Sequence, residues 1–260
     1  MEWYIIVAVV VVGFIVGFMN TLAGSGSLLS LPLLMFLGLP ATVANGTNRI
    51  GILLQSITAA SSFQKQKVFE WKDGIKLSLP AIVGATIGAA FAVKLTNEIM
   101  QYIIGSLLII MFFLMLYKPS MWLDGKNEIK TTKFGFWQVV IFFFIGLYGG
   151  FIQAGVGFFL LTGLVVGAGL DLLKANAIKI LVVLFYTPVA LAIFIYNSQV
   201  DFTLGLLLGG GNIIGAYVAS KAAIKRGNVF IKNIILVVIF ISALELLGVY
   251  EYIGKLLGIV

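Results

Sequence analysis

Residues 17–32 read Gly17-Phe18-Met19-Asn20-Thr21-Leu22-Ala23-Gly24-Ser25-Gly26-Ser27-Leu28-Leu29-Ser30-Leu31-Pro32, and a second stretch reads Ala154-Gly155-Val156-Gly157-Phe158. In both, an apolar run is cut by two glycines and followed by an apolar piece too short to cross a bilayer, 28–39 and 158–170. A spanning helix needs about 17–25 residues. A paired-glycine break before a 12- or 13-residue apolar piece predicts a broken or re-entrant helix.

Outward from these breaks the chain is almost all oil. Of 260 residues, 61 % are hydrophobic and 10 % charged, where soluble domains carry about 25 % charge. Apolar segments fall at 3–18, 28–39, 41–63, 75–93, 99–117, 134–152, 158–170, 172–196, 202–220 and 229–250. This predicts an all-α polytopic membrane protein of 8–10 spans in the cell membrane, with the bilayer as its main partner and no room for a soluble domain. The first run follows Glu2 and Trp3 rather than a basic region, so it reads as a retained span. Histidine and cysteine are both absent, which removes the usual thiolate, haem and zinc chemistry; no cofactor or metal is expected. Seventeen Lys and Arg against ten Asp and Glu read as topology, not as nucleic-acid binding.

Sliding the chain against itself by 131 residues aligns Gly24 and Gly26 with Gly155 and Gly157, Ala44-Asn45 with Ala175-Asn176, Glu70-Trp71 with Asp201-Phe202, and Asn97 with Asn228. The register predicts two repeats, 1–118 and 134–260, joined by a cytoplasmic linker at 119–133. Five segments per repeat is an odd number, so the second repeat should enter the membrane inverted. Lysine clusters at 65–76, 118–133 and 221–232 then share one face, the cytoplasm, and both termini are extracytoplasmic.

Inverted repeats with interrupted helices suit a secondary transporter whose site lies near the midplane. Unwound glycine backbone presents N–H groups and a positive helix end to an anion. Arg49 stands nine residues after Pro40, about 13 Å along a helix, and Lys179 is at a similar depth after Asp171. A cation at the bilayer centre costs about 2.5–3.5 kcal/mol on insertion scales, which makes both candidate substrate ligands, the alternative being that each snorkels or pairs structurally, with Glu245 as one partner. The candidate substrate-binding residues are therefore Asn20, Gly24, Ser25, Gly26, Asn48, Arg49, Gly155, Gly157 and Lys179. Tyr148, Gln153, Asn45 and Asn176 form a weaker polar layer, and Glu245 is a candidate coupling carboxylate. Gly84-x-x-x-Gly88 and Gly211-x-x-x-Gly215 read as close helix packing.

Together, Gly17 to Pro32, Ala44-Asn45-Gly46-Thr47-Asn48-Arg49, Tyr148-Gly149-Gly150 and Gly211-Asn212-Ile213-Ile214-Gly215 resemble the TauE/SafE sulfite-exporter family over essentially the whole chain. The resemblance implies a transporter of small anions such as sulfite, sulfoacetate or thiosulfate. Its coupling is left open between a proton, sodium and the membrane potential, and a homo-oligomer is a further open partner. Arg49 falls where the family commonly has a basic residue, while Gln153 and Val156 depart from its second-half pattern. Three rivals are a drug/metabolite-type transporter, which needs helices continuous through Gly24 and Gly155, an anion channel, and a serine hydrolase built on Ser25. The last lacks a histidine base, so an enzyme is not expected.

Overall fold

The computed structural model describes residues 2–68, 71–116 and 135–246. The expected linker at 119–133 and the side chain of Glu245 lie outside the described residues. Within them the chain is helical and carries no strand: α1 (Trp3–Leu22), α2 (Ser27–Phe36), α3 (Ala41–Lys65), α4 (Trp71–Ala92), α5 (Asn97–Leu116), α6 (Phe136–Phe151), α7 (Val156–Thr162), α8 (Leu172–Tyr196) and α9 (Phe202–Leu246). Helices alone let an isolated segment satisfy its backbone in lipid. Trp3–Leu22, Gly74–Ala92, Leu172–Tyr196 and Phe202–Gly227 are each long and apolar enough to cross a membrane. Many large apolar side chains, Phe36, Leu79, Phe91 and Tyr102 among them, face outward, as lipid solvation requires.

The two glycine stretches end their helices as expected. α1 stops at Leu22 and α2 begins at Ser27; α6 stops at Phe151 and α7 begins at Val156. Gly24 and Gly155 are both left-handed, with φ of 75° and 69°, a conformation that costs other L-residues about 1–2 kcal/mol. The helices are thus not continuous through either glycine. α7 runs only to Thr162 and continues as a π-helical turn, Gly163–Gly167.

Other left-handed residues recur at the same spacing: Gly38 with Gly169, and Lys67 with Ser198, each pair 131 residues apart. α3 and α8 are both 25 residues long and start 131 apart. The segment read at 202–220 and the described part of the one read at 229–250 are the two arms of α9, which is broken at Gly227, whose φ and ψ of 68° and −160° leave helical space.

Packing interlocks distant parts of the chain. α1 lies along α9, α6 along α4, and α3 and α8 cross at the centre, where α3 also meets α9 and α8 meets α4. The glycine pairs make these approaches close. A Cβ on Gly84 or Gly88 would come within 2.1 Å of the Phe143 or 2.0 Å of the Leu147 carbonyl on α6, and one on Gly211 or Gly215 would strike the Val10 or Phe14 carbonyl on α1. Small residues are favoured at such interfaces because lipid provides no hydrophobic drive and contact must come from packing.

Candidate functional site

The two breaks meet. A Cβ on Gly24 would lie 2.3 Å from the Gly157 Cα, and one on Gly157 the same distance from the Gly24 Cα. Only backbone fits at this crossing. Beside it is a small cavity lined by Asn20, Gly24, Ser27, Gln55, Gln153, Val156, Gly157 and Lys179, with Ile52, Ile180 and Val183 as its apolar wall.

Asn20, in the last turn of α1, bridges its break. Its Oδ1 accepts from the Gly26 amide at 2.7 Å, and its Nδ2 reaches Gln55 Oε1 on α3 at 3.4 Å. Across the cavity Gln153 Nε2 donates to the Tyr186 hydroxyl on α8 at 2.7 Å. Gln55 and Tyr186 are themselves 131 residues apart. Asn48 pins α2 to α3: its Nδ2 donates to Ser27 Oγ at 3.1 Å, and its Oδ1 accepts from Ser30 Oγ at 2.6 Å.

Both cations are buried, and each reaches the broken helix of the opposite part of the chain. Lys179 Nζ on α8 donates to the Asn20 and Thr21 carbonyls at 3.0 and 3.1 Å. Arg49 on α3 donates through Nη1 to the Gly149 carbonyl at 3.0 Å and to Gln153 Oε1 at 3.2 Å, and through Nη2 to the Gly150 carbonyl at 2.7 Å. Asn45 Nδ2 takes the next carbonyl, Phe151, at 2.9 Å. The last four carbonyls of a helix lack intrahelical partners, and the negative end of the helix dipole attracts a cation. The guanidinium also sits 4.6 Å above the Phe194 ring, a cation–π contact.

Of the sequence-derived candidates, Asn20, Gly24, Gly157 and Lys179 line the cavity. Gly26 lends its amide to Asn20, Asn48 holds the start of α2, and Gly155 supplies the left-handed turn before α7. Ser25 is buried at the break, and neither its Oγ nor the Oγ1 of Thr21 has a partner among the described residues. Arg49 binds the carboxyl end of α6 through both terminal nitrogens and touches the cavity through Gln153, while its buried Nε has no partner among the described residues. Gln55 and Tyr186 escaped notice because a lone polar residue inside an apolar helix has no motif. Each follows Asn48 or Lys179 by seven residues, two helical turns, so the same face was predictable.

The cavity holds about 20 Å³ of free space, room for one water molecule. The sequence pattern of the sulfite exporter TauE/SafE family matches residues 9–246. The chain belongs to that family. Among its relatives, "Probable membrane transporter protein ORF9" of Sinorhizobium sp is 29 % identical over 248 residues, covering 95 % of this chain and 94 % of its own. "Probable membrane transporter protein YfcA" of Escherichia coli K12 is 26 % identical, covering 91 % and 87 %. A "Probable membrane transporter protein" of Haemophilus influenzae is 23 % identical, covering 90 % and 91 %. No solved structure matches the chain significantly. A TauE/SafE protein is a membrane transporter, in keeping with the apolar helices found here.

Proposed function

We propose that the chain is a secondary transporter for a small anion, a sulfur oxyanion or organosulfonate of the sulfite, sulfoacetate or thiosulfate kind, carried by alternating access. One observation carries this reading. The Lys179 ammonium is buried, lines the cavity at the crossing of the two breaks, and has three N–H donors, of which two are held by the Asn20 and Thr21 carbonyls. The third is left for an oxyanion, with the Asn20, Gln55 and Gln153 amides around it. An anion stripped of water needs such donors, because an unpaired charge in a low-dielectric interior is prohibitively costly.

A multi-oxygen anion exceeds the space of one water, so it enters only when the helices around the breaks part. The two parts of the chain are read as inverted repeats, with the lysine clusters cytoplasmic, both termini outside, and a rocking motion that opens the cavity to each side in turn. In this mechanism Arg49 is a positioning residue: it holds the end of α6 and orients Gln153.

The test is flux into proteoliposomes over sulfur oxyanions and carboxylates, with proton and sodium gradients imposed separately. Losing one charge-assisted hydrogen bond costs about 1.5–3 kcal/mol, so Lys179→Gln should lower uptake roughly 10- to 100-fold. Folded Lys179→Gln protein with full anion flux would overturn the reading. Saturable counterflow by the wild-type protein separates a transporter from a channel.

A further inference from the structure

A second, larger cavity lies apart from the crossing. It holds about 670 Å³ between the end of α3 and the middle of α9, and its lining includes Ser61, Lys65, Gln66, Tyr217, Lys221 and Lys225. None of the lining residues is acidic. Lys65 sits in the last turn of α3, and Lys221 and Lys225 sit in the last two turns of α9 before its kink at Gly227, so two helix ends bring these cations to one place. Three ammonium groups around one hollow repel each other unless an anion sits among them. Lys221 is already fixed, its Nζ donating to the Tyr217 hydroxyl and lying 4.3 Å from that ring's centroid.

The surface leading to this hollow is apolar. On α3 Ile57, Ser61 and Lys65 follow one another at four-residue steps, all exposed; on α9 Ile214 and Val218 precede Lys221 and Lys225 and are likewise exposed. On α9 this outward strip is apolar and ends in lysine, and on α3 Ile57 stands two turns before Lys65, the form of a lipid with a charged head and an apolar tail. We infer that this cavity binds an anionic phospholipid, its phosphate among Lys65, Lys221 and Lys225 and an acyl chain along Ile57, Ile214 and Val218. Basic hollows between membrane helices are suited to anionic head groups.

Native mass spectrometry of the full-length protein in detergent, titrated with phosphatidylglycerol, phosphatidylcholine or inorganic phosphate, tests this. Phosphatidylglycerol should bind in preference to phosphatidylcholine and resist competition by millimolar phosphate. The Lys65→Gln/Lys221→Gln/Lys225→Gln protein should bind it roughly a hundredfold more weakly, and each single variant roughly fivefold. A control of equal charge, Lys72→Gln/Lys94→Gln/Lys174→Gln, should retain it. Equal loss in both triple variants, no preference over phosphatidylcholine, or displacement by phosphate at the lipid's own concentration would each overturn the inference, the last by making the hollow a soluble-oxyanion site.

Discussion

The contact between Gly24 and Gly157 makes a graded prediction. Alanine at Gly24 meets two separate penalties: a left-handed backbone with φ of 75°, and a Cβ 2.3 Å from the Gly157 Cα. The first costs about 1–2 kcal/mol and the second, as overpacking against backbone, about 1–3 kcal/mol. Gly157→Ala meets the collision alone, since its φ is not left-handed, and Gly38→Ala meets the strain alone, with φ of 93° and nothing within 4 Å of its Cβ. Gly105→Ala meets neither, lying in α5 with open space around it, and should gain about 0.5–1 kcal/mol from helix propensity. In a chain of this size 1 kcal/mol moves a melting midpoint by about 2–4 °C. Thermal unfolding of purified protein in detergent should thus place Gly24→Ala lowest, about 4–20 °C below wild type. Gly157→Ala and Gly38→Ala should follow, and Gly105→Ala should lie slightly above wild type. If Gly24→Ala melts no lower than Gly38→Ala, the two breaks do not touch, and the cavity beside them loses its frame.

Ser56 Oγ and Thr187 Oγ1, 131 residues apart, are both buried without a hydrogen-bond partner among the described residues. Ser56→Ala and Thr187→Val should therefore leave the melting point unchanged or raise it by about 1 kcal/mol equivalent, and a clear fall in either would show a partner for that hydroxyl. The chain has no cysteine, so single cysteines report orientation directly. With an impermeant maleimide on intact cells, Lys94→Cys should label and Lys65→Cys should label only after lysis; the reverse pattern would turn the proposed topology over.

Much of the fold was legible because its punctuation is chemical. Two glycines before a short apolar run announced both breaks, and the ends of α3 and α8 fall within two residues of the segments read at 41–63 and 172–196. Proline at position 40 and aspartate at 171 mark those starts, the latter by accepting from the Leu173 and Lys174 amides at 3.1 Å. The bend at Gly227 was legible only as a gap between two apolar runs, since a left-handed glycine between helices and a loop look alike in sequence. The site was half legible. Depth along a helix singled out Arg49 and Lys179, but not what they touch, since their carbonyl partners lie 100 to 159 residues away in the chain. Position along one helix says nothing about which distant helix end arrives opposite, and that is what divided the two cations between clamp and cavity.

The crossed clamps also bear on how the molecule is made. Arg49 finds its carbonyl acceptors about 100 residues later in the chain, and the end of α1 waits for Lys179, 159 residues after Asn20. At roughly 5–20 residues per second of synthesis, the α3 cation is in place for about 5–20 seconds before α6 exists to receive it. During that interval Arg49 must be kept hydrated or shielded by something other than its final partners. The insertion machinery therefore handles an unfinished first half in which the Arg49 charge still lacks the carbonyls that receive it in the folded chain.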